Sequence, residues 1–206
     1  KNYFKKIKNK KKFRIGIISD CFSGYKSYDE EVKKDFELFC KKYLNKHKII
    51  KNSDFSFINK VHENHENIYC KSLAYYFKNL GKRKKKFSKI MKSMIKKGNI
   101  ISTKQYLDSC FIQENLTNKF EKIMNNYDFL VTPSTGSAAP ILNESEKKDT
   151  SLIWTFFGAP SISLPIFYCE RSKLPFGLQI VSSRYSDLSL ISFSKDIMKL
   201  INNKNV

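Results

Sequence analysis

All five prolines of this 206-residue chain lie between Pro133 and Pro175, and none occurs in the first 132 residues. Proline lacks a backbone N–H and breaks helices, so it separates structural elements only in the last third of the chain. Between the prolines lie short apolar runs that we predict to be strands. These strands are Phe129–Val131, Ser161–Ile166 and Gly177–Val181.

The proline-free part of the chain has helical spacing of its apolar residues. Val32, Phe36 and Phe39 follow three acidic residues, which are favourable at a helix N-terminus, so we predict a helix from Asp29 to Leu44. Three more helices are predicted from about Ile68 to Gly81, from Phe87 to Gly98, and from Ser102 or Thr103 to about Asn126. The longest is expected to direct seven side chains inward: Tyr106, Leu107, Phe111, Leu116, Phe120, Ile123 and Met124.

Strands also occur near the start of the chain, and a helix closes it. We predict strands at Phe13–Asp20 and His47–Lys51, and a last helix from Ser186–Asp187. Strands that alternate with helices, several of them uniformly apolar, favour an α/β fold whose sheet is buried on both faces. We interpret residues 1–206 as one partial domain. Residues 13–127 would supply a strand and a lysine-rich helical layer, and residues 128–206 the remaining strands, the pocket loops and the closing helix.

The formal net charge of +20 is concentrated in the first part of the chain. Residues 1–127 carry 31 Lys and Arg against 12 Asp and Glu, whereas residues 128–206 carry 8 against 7. Such a field attracts phosphate backbones and acidic lipid surfaces. Only four of the 39 basic residues are Arg, which recognises phosphates and bases better than Lys. The bias towards A/T-rich codons explains the lysines more simply, so a nucleic-acid partner is not expected.

The cysteines and the apolar runs indicate a compartment. Five widely spaced cysteines without a C-x-x-C pair do not form a disulfide framework, and each is interpreted as a small apolar residue. The longest uncharged stretch, Thr150–Cys169, is interrupted by Gly158, Pro160 and Pro165, so we predict no transmembrane segment and no membrane partner. No signal peptide is visible at the basic start. We therefore expect a cytoplasmic protein.

Several catalytic motifs are absent. The segment His62-Glu63-Asn64-His65-Glu66 lacks the further ligands of a zinc site, so we predict a solvated polar turn. The adjacent pairs Ser88-Lys89 and Ser194-Lys195 cannot face each other on a helix and are interpreted as surface residues. There is no G-x-S-x-G nucleophile elbow and no glycine-rich phosphate loop.

The stretch from Tyr127 to Asp187 is the most informative about function. An apolar strand ends in Thr-Pro, a loop of small residues ends in Ala-Pro, and two further Gly/Pro turns follow an aromatic run. The residues of this pattern are, in order, Asp128, Thr132, Pro133, Ala139, Pro140, Gly158, Pro160, Pro165, Pro175, Gly177, Gln179 and Asp187.

This pattern resembles the C-terminal half of the amidase signature family. The resemblance implies a partial mixed β-sheet flanked by helices, as in the C-terminal half of the family's α/β/α sandwich. It also implies hydrolysis of carbon–nitrogen bonds in small-molecule amides, with no metal or organic cofactor. Phe13–Ile17 resembles the strand that follows the family's catalytic core, and Gly98 and Tyr106 match a further G…Y pair. The likeness is strongest from 127 to 191.

Residue chemistry locates a candidate pocket wall. Pro133 and Pro140 stiffen the exit from a strand, and Gly136 allows close backbone approach. Loops at the carboxyl ends of strands commonly bind ligands in α/β sheets. We predict that one wall of the acyl-side pocket is formed by Thr132, Ser134, Thr135, Ser151, Trp154 and Thr155.

Two residues near this wall have alternative interpretations. Trp154, together with its aromatic neighbours Phe156 and Phe157, is equally consistent with a place in the core. Gln179 lies on an apolar strand and needs hydrogen-bond partners if it is buried, so we expect it to support the loop rather than to contact substrate.

The family's reactive groups have no counterpart in this sequence. In the family, a Ser nucleophile, a second Ser and a Lys base lie in an upstream core that contains a glycine–serine loop. This chain has no Gly-Gly pair and no Gly-Ser-Ser triplet, so no catalytic residue is assigned. The expected partner is the missing N-terminal catalytic half, and the isolated chain is expected to be inactive.

Two other functional classes stay open. One is a component of a tRNA-dependent amidotransferase, similar to the polypeptide of that enzyme that transamidates misacylated tRNA, for which the basic first half is suitable. That polypeptide usually has Asn at the position of Thr155. The other is a non-catalytic basic protein that binds nucleic acid through its lysine-rich helices.

Overall fold

The computed structural model describes residues 12–18, 28–50, 55–79, 86–142, 144, 151–170 and 173–202. The expected helix end at Leu80–Gly81 and the basic residues 82–85 lie outside these ranges. The chain divides into two compact units. The sheet unit comprises Lys1–Ser56 and Lys119–Val206, and the helical unit comprises Phe57–Asn118.

Strands and helices alternate along most of the chain, and most lie where the sequence predicted them. The strands are β1 (Arg14–Ile17), β2 (Lys48–Ile50), β3 (Phe129–Pro133), β4 (Ser161–Tyr168) and β5 (Pro175–Val181). The α-helices are α1 (Glu30–Tyr43), α2 (Val61–Tyr76), α3 (Lys89–Ile100), α4 (Thr103–Met124), α5 (Ser151–Phe157) and α6 (Asp187–Asn202), with a 3₁₀ turn at Ser56–Lys60. No helix in the described ranges is long and apolar enough to cross a membrane.

The five strands form one mixed sheet in the order β2-β1-β3-β5-β4. Strand β1 pairs in parallel with both β2 and β3, whereas β5 pairs antiparallel with both β3 and β4. The predicted α/β fold with a partial mixed sheet flanked by helices is confirmed.

Side chains of the central strands alternate between two helical layers. Phe129 of β3 stacks on Phe193 of α6, with ring centroids 4.2 Å apart. On the other face, Trp154 of α5 donates a hydrogen bond to Gln179 of β5. Every residue of β3 is buried, because the strand has neighbours on both edges and helices on both faces.

A charged pair fixes the start of β3 against the start of β1. The Asp128 carboxylate accepts a hydrogen bond from the Arg14 backbone N–H at 2.8 Å and pairs with the Arg14 guanidinium at 3.1 Å. In return, the Asp128 N–H donates to the Arg14 carbonyl at 2.8 Å. These contacts join residues 114 positions apart and set the parallel register of the two strands.

The helical unit contains a capping box and a close helix contact. Ser102 and Gln105 exchange side-chain-to-backbone hydrogen bonds at the start of α4, which confirms the predicted cap. The prediction that Gly98 ends α3 was wrong, since the helix continues to Ile100. A Cβ on Gly98 would lie 1.9 Å from the Cys70 carbonyl oxygen, so this glycine permits the close approach of α3 to α2.

Two further sequence predictions in the helical unit were wrong. The segment His62–Glu66 forms the first turns of α2 rather than a polar turn. Leu107 and Phe111 of α4 are 58% and 65% exposed rather than inward, whereas Phe120 and Met124 near its end are buried. Helical periodicity identifies the face of a helix, but it does not show whether a second layer covers that face.

We expect Gly98→Ala to destabilise the chain by about 1–3 kcal/mol, because the added methyl group collides with the backbone of α2. The measurement is urea unfolding followed by circular dichroism. Ser93→Ala, at an exposed position of the same helix, is the control and should change stability by less than about 0.5 kcal/mol. A more stable Gly98→Ala variant would show that helix propensity outweighs the contact.

His47 should make the sheet unit sensitive to acid. Its Nδ1 accepts a 3.5 Å hydrogen bond from the Phe13 N–H, and its ring packs against Phe13 and Phe193. Burial, and then the charge of Lys46, lower the pKa of His47. Below about pH 6.5 the unfolded chain therefore binds the proton more readily than the folded chain, and stability falls with falling pH. In His47→Gln, we expect a smaller loss of unfolding free energy between about pH 7 and about pH 5. Equal losses would contradict this.

Candidate functional site

The predicted pocket wall lies where β3, β5 and α5 meet. The Ser134 N–H donates to the Gly177 carbonyl at 2.8 Å, which holds the loop after β3 against β5. The Ser151 hydroxyl at the start of α5 donates to the Ser134 carbonyl at 3.3 Å. Elements that are distant in sequence are therefore joined through small polar groups at one end of the central strands.

A buried hydrogen-bond chain connects α5 to the sheet. The Trp154 indole N–H donates to Oε1 of Gln179 at 2.8 Å, and Nε2 of Gln179 donates to the Ser151 hydroxyl at 3.3 Å. Gln179 thus contacts the first turn and the middle of α5 with the two ends of one amide group. This is the supporting role expected from the sequence. We call the connected residues Ser134, Ser151, Trp154 and Gln179 the polar bridge.

The six predicted wall residues differ in their accessibility. Thr132 and Trp154 are fully buried, and Ser134 is 7% exposed. Thr135 and Ser151 are partly exposed, and Thr155 is exposed on α5. The core interpretation of Trp154 and its aromatic neighbours is correct within this chain, because the indole contacts Phe120 at 6.0 Å and is shielded from solvent.

Sequence reasoning missed the contribution of the residues just before α1. The Tyr28 hydroxyl lies 3.0 Å from the Thr132 hydroxyl, and the Asp29 N–H donates to the Gly136 carbonyl at 2.9 Å. These contacts position the strand end and the small-residue loop from below. The signal was weak, since an isolated tyrosine before a helix carries no spacing that indicates its partner.

A glycine on β5 brings two serine hydroxyls close together. A Cβ on Gly177 would lie 2.6 Å from the Ser163 hydroxyl oxygen and 2.7 Å from that of Ser134. Only glycine fits between them, which explains why a residue without a side chain interrupts an otherwise apolar strand. Ser163 was not predicted as part of the wall.

The polar bridge offers hydrogen-bond donors and acceptors but no activated nucleophile. Its members are two hydroxyls, an amide and an indole, and none is a base that could take a proton from serine. Among the described cysteines, burial and the charge of Glu37 raise the pKa of the Cys40 thiol to about 12, which makes it unreactive. The described residues also hold no cluster of three or more His, Cys, Asp or Glu that could bind a metal ion.

Concavity alone does not locate this wall. A groove of about 650 Å³ lies elsewhere on the sheet unit, lined by Leu38 and Tyr43 of α1, Tyr168 of β4 and Ile201 of α6. None of the predicted wall residues lines it.

Comparison with known proteins decides the family. The model of the family described as Amidase matches residues 1–191, which is most of the chain. The chain belongs to the amidase family. The confirmed fold and the ordered Thr-Pro, Ala-Pro and Gly-x-Pro elements of its last third agree with that membership.

This amidase-family chain is similar to proteins with different named activities. It is 31% identical over 140 residues to the A-type polypeptide of the glutamyl-tRNA(Gln) amidotransferase of Borreliella afzelii, a match that covers 61% of this chain and 28% of that protein. It is 26% identical over 108 residues to a fatty acid amide hydrolase of Medicago truncatula, covering 46% of this chain and 18% of that protein. A solved fatty acid amide hydrolase structure matches with a TM-score of 0.77 at 17% identity. That match covers 96% of this chain and 41% of the other. The chain therefore spans less than half the length of these relatives.

The polar bridge should be sensitive to the side chain of Gln179. Gln179→Leu leaves the buried indole N–H of Trp154 without an acceptor, so we expect a loss of about 1–3 kcal/mol of unfolding free energy. Since Trp154 is the only tryptophan, its fluorescence emission in the folded state reports this site directly, and the emission should shift. Thr155→Ala, which changes an exposed hydroxyl beside Trp154, is the control and should leave both readouts near wild type. An unchanged emission and stability in Gln179→Leu would show that the bridge is energetically unimportant.

Proposed function

We propose that this chain is the C-terminal portion of an amidase-type enzyme that cleaves carbon–nitrogen bonds of amides, with the reactive Ser-Ser-Lys groups on polypeptide outside it. Family membership supports the reaction class. The observation that carries the division of labour is the polar bridge, which builds a preorganised wall but contains no nucleophile–base pair.

The wall residues have a specific task in this proposal. Thr135, Ser151 and Thr155 are the predicted members with exposed surface, so their hydroxyls are the ones that reach a small-molecule amide. Thr132 and Trp154 act from behind, since both are fully buried and hold the strand end and α5 in place. No cofactor is part of the proposal. The described cysteines form no disulfide and most are buried, which is consistent with a cytoplasmic location.

A second candidate is a component of a tRNA-dependent amidotransferase. The similarity to the Borreliella afzelii protein favours it, despite Thr155 at the position where Asn is usual. In this case the carbon–nitrogen chemistry would serve a tRNA-bound substrate. The lysine-rich helical unit would then contact nucleic acid, with affinity that falls steeply as salt rises.

The first test measures activity. We expect the purified 206-residue chain to release no product above background from simple amides or p-nitroanilides. We expect hydrolysis when it is co-expressed with the amino-terminal part of the Borreliella afzelii relative, which would supply the reactive groups. Ser151→Ala should then raise KM or lower kcat, and Ser192→Ala on the exposed face of α6 should not.

The outcomes separate the candidates. Hydrolysis by the isolated chain would refute the proposed division and indicate an unrecognised nucleophile. Amidation of glutamyl-tRNA by the co-expressed pair, with a salt-dependent gel shift of tRNA, would support the second candidate instead. A pair that acts on neither amides nor glutamyl-tRNA would contradict both.

A further inference from the structure

Strand β4 leaves one side of the sheet open. Among the described residues its only sheet neighbour is β5, which pairs with it from Ser161 to Tyr168. Strand β2, at the other edge, has only three residues and begins with the exposed Lys48. Short length and lysine are common ways to protect an edge strand, and β4 has neither.

The open edge of β4 has free pairing capacity in its first half. The Ser182 N–H donates to the Pro160 carbonyl, so residues 160 and 182 form a hydrogen-bonded pair. In an antiparallel ladder such pairs alternate, which directs the backbone groups of Ile162 towards β5 and those of Ser161 and Ser163 towards the open side.

Only the second half of β4 carries protective features. Pro165 has no N–H to offer at the edge, and the pairing with β5 is irregular between Leu164 and Phe167. None of the eight residues of β4 is charged. The segment Ser161–Leu164 is thus a regular, uncharged edge with its hydrogen-bonding groups exposed.

The face of β4 beside α5 is also uncovered. Ser161, Ser163 and Pro165 alternate along one face of the strand, and all three are exposed. On the adjoining strand, Gly177 and Gln179 are buried. The covering layer over this face therefore stops at β5, one strand short of the edge of the sheet.

The occupant follows from charge and from chain length. A second copy would bring another formal charge of +20 to the same edge, which opposes pairing between copies. The matched relatives contain much more polypeptide, since this chain covers 28% of the Borreliella afzelii protein and 41% of the solved fatty acid amide hydrolase. We propose that the amino-terminal catalytic polypeptide of the amidase adds a strand to β4 along Ser161–Leu164. This inference rests on the proposed function.

Such pairing would bring the reactive groups to the wall. An added strand lies about 4.8 Å from its neighbour, so it would stand beside Ser163. The Ser163 hydroxyl is itself close to the Gly177 backbone and, across it, to Ser134. Side chains on the added strand would therefore face the same end of the sheet as the polar bridge.

Hydrogen–deuterium exchange of the chain, alone and with the amino-terminal part of the Borreliella afzelii relative, tests the pairing. In the free chain, the amides of Ser161 and Ser163 should exchange rapidly, whereas those of Ile162 and Leu164 should be protected by β5. In the complex, Ser161 and Ser163 should slow at least tenfold. No binding, or binding with unchanged exchange at these two residues, would overturn the proposal.

Matched charge variants sharpen the test. Ser161→Lys places a charge at the edge and should weaken binding at least tenfold, whereas Ser192→Lys on the exposed face of α6 should leave binding unchanged. Equal effects would indicate general repulsion and contradict edge pairing. Self-association of the chain, abolished by Ser161→Lys, with no binding of the amino-terminal polypeptide, would identify a second copy as the occupant and likewise overturn the proposal.

Amide hydrolysis by the same complex keeps the two claims apart. Protection of Ser161 and Ser163 without hydrolysis would leave the pairing standing and contradict the proposed function. Hydrolysis with these amides still exchanging rapidly would support the function and overturn the pairing.

Discussion

The structure depends on the complete burial of β3, a five-residue strand with neighbours on both edges and helices on both faces. Its first residues are aligned with β1 by the contacts between Asp128 and Arg14. Its last residues deliver Thr132 and Ser134 to the end of the sheet. Because the strand cannot shift by one residue without moving Phe129 out of the core, the positions of these polar residues are fixed by apolar packing.

The small-residue loop after β3 is held by polar contacts from several elements. Gly136 accepts from the start of α1, Ser134 donates to β5, and Ser151 contacts the loop from α5. Each bond is modest alone, but together they restrict a backbone that glycine and serine would otherwise leave mobile. A rigid wall of this kind suits recognition of a planar amide group, while the bond-breaking groups come from elsewhere.

The sequence predicted the fold well where local signals and tertiary packing agree. The strands near Phe129, Ser161 and Gly177 were visible because they are apolar and bounded by prolines, and α1 was visible from Val32 to Phe39. Errors arose where tertiary contacts overrule local rules. Gly98 resembles a helix end, but its role depends on the carbonyl of Cys70, which no local pattern reveals. The candidate site was likewise predictable in position but not in detail. Trp154 looked suitable for a pocket and is instead enclosed, with its only polar atom bonded to Gln179. The contact from Tyr28 spans 104 residues and leaves no periodic trace in the sequence.

The pairing of β1 with β3 also affects the order of events during synthesis. Arg14 leaves the ribosome long before Asp128, and the intervening chain contains the entire helical unit. Loop-closure entropy opposes contacts between such distant segments, so they form late. The nascent chain must therefore carry the apolar β1 with only short-range partners until its final third emerges. That interval is when a chaperone would matter most.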